Sequence, residues 1–242
     1  MKKAFMDSSK IIKDNLLKID EKTKNGISII HFKVDEQNET LLKRVKGDYF
    51  SINFDYVTLH HAEKVITREL MKILKAFFLG ESPAKPLIIG LGNSSILCDS
   101  LGVETTNKVM ATNHFSDFLN LPKVALFNPE VIEKTGISSF SLIEMVVKKL
   151  KPTVIIMIDS LATDRESILN NCIEVNNTGI IPGSAIKENK KIDAKTFGIP
   201  VIAIGVPLVL ERNKNFYTTP NVKEILDLTS KIISDSLNKL FF

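Results

Sequence analysis

The sequence predicts a single α/β domain: a doubly wound, largely parallel sheet with helices on both faces. Three observations lead there. Apolar runs such as "KPLIIGLGN", "PTVIIMID" and "IPVIAIGVP" are continuous rather than alternating, the pattern of strands covered on both faces. Segments with helical spacing lie between those runs, giving a strand–loop–helix rhythm. At 242 residues the chain is long for one domain and short for two.

Taken in order, residues 1–25 are polar, with a weak helical pattern at Ile11, Ile12, Leu16, Leu17 and Ile19. They read as an N-terminal arm, flexible or propeptide-like, ahead of one domain over 26–242. "GISIIHFKV" (26–34) and "DYFSINF" (48–54) read as strands around a charged segment. Leu59, Ala62, Val65, Ile66, Leu70, Ile73 and Leu74 recur at helical spacing, and Gly80 stands where a glycine closes a helix. After the strand "KPLIIGLGN" a helix is expected from Asp99 to His114. "LPKVALFN" and "PTVIIMID" are further strands, with the helix "SSFSLIEMVVKKL" between them opening on a serine cap. "NCIEVN" is a short strand and "IPVIAIGVP" the most apolar one. "TPNVKEILDLTSKIISDSLNKL" closes the chain as an amphipathic helix with Pro220 in its first turn.

Composition excludes several classes. Hydrophobic content of 44% with 25% charged residues is that of an ordinary globular protein. The net charge of +4 comes with dispersed lysines, so direct nucleic-acid binding is not expected. Cys98 and Cys172 have no paired-ligand spacing, which fits a reducing compartment without disulfides. No apolar run is long enough to span a membrane, and the first residues lack a signal-peptide core. The expectation is cytoplasmic.

Functional groups in such sheets gather beyond the C-terminal strand ends. The loop "GLGNSSILCDSLGVE" (90–104) has close-approach glycines but no Lys-Ser/Thr pair and no third fingerprint glycine, so no cofactor is expected. It presents Asp99 at an expected helix start, where an N-cap is the plain reading. Asp159 ends "VIIMID" and has the same two readings, cap or catalytic acid. If the two carboxylates share a crevice, one ionises while its neighbour is held protonated. Cys98 reads as a small core residue rather than a nucleophile. His60 and His61 diverge by about 100° on a helix and make no metal cluster with Glu63. His114 suits a helix C-terminus, and Ser184 has no nucleophile elbow around it.

Five motifs in order resemble the germination protease family of spore-forming bacteria: "GDYFSINF", "GLGN" with "DSLG" at 90–102, "IDSLA" (158–162), "NTGIIPGS" (177–184) and "FGIPVIAIGVPLVL" (197–210). The resemblance covers roughly residues 26–242. It implies an endopeptidase of small acid-soluble spore proteins, located in the spore core and assembled as a homotetramer, without metal. It also implies a fold like those of hydrogenase-maturation proteases and phosphorylases. The family's proposed aspartate pair falls on Asp99 and Asp159. Backbone donors at Gly92, Asn93, Gly179, Gly183 and Ser184 become candidates for binding substrate or an oxyanion. Departures from the family pattern are Ser94 and Ser95 in place of Trp-Asn, Asp164 in place of an arginine, Asn177 in place of an aspartate, and "AIKEN" (185–189) in place of Gly-Val-Gly-Asn. A long segment between "IGVP" and the last helix is nearly absent. Two rival expectations stand beside the peptidase: a non-catalytic paralogue that binds a peptide or protein, and a metal site built from the two carboxylates with His114.

Overall fold

The structure, a computed structural model, describes residues 2–3, 19–24, 26–42, 44–78, 85–115, 121–181 and 190–242. The helical pattern at 11–17, Gly80, Gly183 and Ser184 lie outside the described residues. The strands are β1 (Lys2–Lys3), β2 (Ile19–Lys24), β3 (Ile27–Val34), β4 (Gly47–Asn53), β5 (Pro86–Gly90), β6 (Ala125–Phe127), β7 (Val154–Thr163), β8 (Cys172–Asn176), β9 (Val201–Arg212) and β10 (Asn215–Tyr217). The helices are α1 (Glu39–Leu42), α2 (Tyr56–His61), α3 (Glu63–Phe77), α4 (Leu101–Thr106), α5 (Ile132–Thr135), α6 (Ser139–Leu150), α7 (Ala194–Phe197) and α8 (Val222–Phe241).

All strands join one sheet in the order β2-β3-β4-β8-β9-β7-β5-β6, with β1 on β7 and β10 on β9. The pairs β5–β6, β5–β7 and β7–β9 are parallel. From β9 outward through β8, β4, β3 and β2 every pair is antiparallel. The sheet is therefore mixed, and the parallel part is its α/β half. The reason is local: β2 and β3 are joined at Gly26 (φ +79), a turn too short for the crossover that parallel pairing needs. Residues 19–24, read from sequence as part of the arm, are one edge of this sheet.

Helices cover both faces. On one side α3, α4 and α8 pack over Ile88, Ile156, Ile158, Ile202 and Ile204. On the other, Phe140, Ile143 and Val147 of α6 meet Leu87, Ile89, Ile155, Met157 and Ala203. Burying one such aliphatic side chain contributes about 1.5–3 kcal/mol, so this two-sided core is what fixes the parallel strands in place. The long helix expected over 58–80 is two, α2 and α3, interrupted at Ala62. Asp55 caps α2 by accepting from the Thr58 amide at 2.6 Å. The expected helix from Asp99 to His114 is only a 3-10 turn at Leu97–Asp99 followed by α4. Hydroxyls of Thr105 and Thr106 bond back to the carbonyls of Leu101 and Gly102, a competition that weakens helix continuation.

Candidate active site

The site is built on the end of β5. All five residues of β5 are buried, and Leu91, the next residue, donates its amide to the Ile158 carbonyl of β7 at 2.8 Å. The chain then turns at Gly92 with φ +111, where a Cβ would stand 1.9 Å from the Asp99 carbonyl oxygen. Only glycine allows the loop to close this tightly. The closed loop lets the Asn93 amide donate to both the backbone oxygen and Oδ2 of Asp99, at 3.1 and 3.0 Å.

Asp99 is half-buried. It is not the N-cap of α4: Ser100 takes that position, without a side-chain cap bond. The Asp99 carboxylate instead reaches back over the glycine turn. Beyond it, the Leu101 amide donates to Ser160 Oγ at 3.3 Å. Gly102 lies so close to Leu91 and Ile158 that a Cβ there would come within 2.5 Å of their backbone atoms. Residues 91–102 are thus held onto β7 at Ile158 and Ser160, on either side of Asp159.

Asp159 differs from its sequence reading too. β7 does not stop there but runs on to Thr163, so Asp159 is neither a cap nor a turn residue. It is 5% exposed, one residue beyond the last β5–β7 pair, Gly90–Ile158. Strand alternation puts Ser160 on the α4 side, as its bond to Leu101 requires. Asp159 then faces the opposite side, with Met157 and Leu91 of the α6 cluster. The Gly92–Asn93 segment that holds the Asp99 carboxylate follows directly on Leu91. Asp99 is therefore held in the loop that follows β5, and Asp159 lies within β7 one residue beyond the last β5–β7 pair.

A residue that sequence reading missed shares this row. Asp159 pairs with Gly205 of β9, and Gly205 pairs with Glu174 of β8. Glu174 is fully buried, and the residue between the two acids has no side chain. The signal was an acid inside an otherwise apolar run, "CIEV". Ser160 was likewise passed over, although a serine inside a strand buried at every position is equally conspicuous.

Among the other candidates, Cys98 is a free thiol packed against the α8-side core. Burial, and then the neighbouring Asp99 charge, raise its pKa. Cys172 is pushed well above the usual thiol range by complete burial and then by Glu174. His60 pairs with Glu224 at 3.3 Å, while Glu63 takes its partner from Lys231. His114 lies in a turn with its ring 3.8 Å from that of Phe115, not at a helix end. Asp164 is exposed just after β7. Asn177 accepts from the Asp48 amide at 2.8 Å and packs on Gly47. Gly179 (φ +79) is packed under Ile192 and Asp193. It follows the end of β8 at Asn176, which pairs with Ala203, upstream of Gly205. Among the described residues no group of three or more His, Cys, Asp or Glu is placed to hold a metal ion.

Comparison with known proteins adds the following. The profile of the germination protease family matches residues 2–222. The germination protease of Clostridium acetobutylicum is 34% identical over 212 residues, 82% of this chain and 64% of that protein. That of Clostridium tetani is 32% identical over 191 residues, covering 74% and 58%. That of Caldanaerobacter subterraneus subsp. tengcongensis is 32% identical over 225 residues, covering 88% and 69%. The chain spans less than two thirds of the length of the first two relatives. Among solved structures, a [NiFe] hydrogenase maturation protease, HycI from Thermococcus kodakarensis, aligns with TM-score 0.43 and 16% identity over 68% of this chain and 98% of that one.

Proposed function

The chain belongs to the germination protease family, and from that premise we propose that it is an endopeptidase that cuts a protein substrate with Asp99 and Asp159. The observation that supports the proposal is the clamping of loop 91–102 onto β7 through Leu91–Ile158 and Leu101–Ser160, two contacts from the Asp99 loop that lie on either side of Asp159. One carboxylate takes a proton from water as its oxygen adds to the scissile carbonyl carbon. The other, protonated, gives its proton to the amide nitrogen as the C–N bond breaks. The Asn93 amide is engaged by Asp99, so in this scheme it orients the acid, and the Gly92 amide is the donor of that turn assigned to the oxyanion. Small acid-soluble spore proteins are the proposed substrates, a homotetramer the proposed assembly and the spore core the proposed location, all by family likeness. Among the described residues no helix is long and apolar enough to cross a membrane.

The experiment is cleavage of purified small acid-soluble spore proteins by the wild type, Asp99→Asn and Asp159→Asn, with circular dichroism to verify folding. A general acid or base typically contributes about 10²- to 10⁴-fold, and each variant is expected to lose that much. Retained cleavage in a folded variant removes its aspartate from the scheme. A second reading, a peptide-binding paralogue without catalysis, is favoured by one observation: the Asp99 carboxylate is engaged by its own loop. Binding without cleavage by the wild type decides for it.

A further inference from the structure

β5 ends where it pairs Gly90 with Ile158, yet β7 continues to Thr163. The Ile155 amide bonds toward β9, to the Pro200 carbonyl, whereas the Ile158 carbonyl accepts from Leu91 on the β5 side. Backbone groups of a strand alternate between its two neighbours, so Ser160 and Ala162 point their N–H and C=O toward the side that β5 has vacated. Such an edge binds extended chains, because main-chain hydrogen bonds need no particular side chain.

This edge is in use. β1 lies on it in parallel, Lys2 opposite Leu161 and Lys3 opposite Ala162. The chain itself thus demonstrates that an extended backbone fits there, in one direction and one register. On this edge the place opposite Asp159 is taken by Leu91, which follows Gly90, so in that register the residue two places upstream of the one opposite Leu161 leaves the sheet beside Asp159. A strand bound this way passes the candidate acid first and pairs with β7 afterwards.

We propose that the edge of β7 at residues 160–162 binds an extended polypeptide substrate as a parallel strand in place of β1, holding the residues on the carboxyl side of the bond to be cut. This rests on the peptidase reading of the same site and adds the chemistry of recognition: unfolded backbone rather than a folded surface, gripped on the half that leaves as the new amine. Side chains of the bound segment then alternate toward and away from the Asp159 face, which gives specificity a period of two residues.

The test follows amide hydrogen exchange at Ala162 in the full-length chain and in full-length Lys2→Pro, which removes the β1 backbone donor that faces the Ser160 carbonyl. The probe is a synthetic peptide with the sequence of residues 1–8, unmodified or N-methylated at alternate backbone amides in either phase. Lys2→Pro is expected to speed exchange at Ala162 about ten-fold, the unmodified peptide to restore protection, and only one phase of N-methylation to abolish it. Unchanged exchange in Lys2→Pro, no protection by the peptide, or equal effects of both phases would overturn the proposal. Protection in a chain that cuts no protein sustains the strand site and removes only the peptidase reading, whereas cleavage of spore protein without protection at the Ala162 amide overturns the strand site.

Discussion

The two halves of the sheet solve the burial problem differently. In the parallel half every residue of β5 and β7 is buried, with separate cores on the two faces. In the antiparallel half β3 mixes buried, half-buried and exposed positions, and its outer face carries only Ile30, Phe32, Val34 and Tyr49 with Leu42 against them. A polar residue therefore means different things in each half. The pairing of His31 with Asp48 at 3.0 Å occurs on a half-exposed face and is worth little. Asp159 sits in a strand with no exposed position, where an unsatisfied charge would be costly. Acids buried where both faces of the sheet are covered, Asp159 and Glu174, therefore call for a functional explanation, and polar residues on the half-exposed faces of β3 and β4 do not.

The largest expected effect tests that contrast directly. Ile156→Ala removes a fully buried side chain at the centre of β7 and is expected to cost about 2–5 kcal/mol. Ile29→Ala, on the half-buried face of β3, is expected to cost about 1 kcal/mol, nearer the centre of the range for single substitutions. Urea unfolding of both variants measures the difference. Equal losses would break the comparison.

The next effect moves from the strands to their loops. Gly92→Ala meets the Asp99 carbonyl at 1.9 Å with φ +111, whereas Gly136→Ala, at φ +67, meets nothing within 4 Å. The second substitution is expected to cost only the left-handed strain, about 1–2 kcal/mol. The first adds a backbone clash and displaces Asp99, so it loses more stability and also impairs cleavage. If Gly136→Ala proves the more damaging, the loop at the parallel strand ends is not the tightly closed element described above.

What the sequence disclosed follows the same division. The parallel strands were legible because two-sided burial leaves unbroken runs such as Val154–Ile158 and Val201–Val206. β2 was not, because "IDEKTK" is a charged edge strand whose partner, β3, supplies the order. Asp99 and Asp159 were singled out from sequence, but their local settings were not legible there. An aspartate after an apolar run resembles a strand terminus, and nothing local reveals that Gly205 stands opposite or that Ser160 takes the Leu101 amide. Glu174 was missed because its burial depends on β4 and β9 flanking β8, a purely tertiary fact.

The smallest effect uses the two thiols as reporters, one in each half. Cys98 lies at the open end of the parallel half and Cys172 within the antiparallel half beside Glu174. The pKa of Cys98 is raised first by burial and second by the charge on Asp99, and a raised pKa means less thiolate at a given pH. Asp99→Asn removes the second cause and leaves the first. Alkylation of Cys98 by iodoacetamide at pH 8 is therefore expected to quicken by about two-fold in that variant, the modest gain of deleting one neighbouring charge. The rate still remains below that of a free thiol, because burial persists. Cys172 is expected to stay unreactive in both proteins until they unfold. Unchanged Cys98 reactivity would mean that the Asp99 side chain is not felt at the thiol and that burial alone raises its pKa.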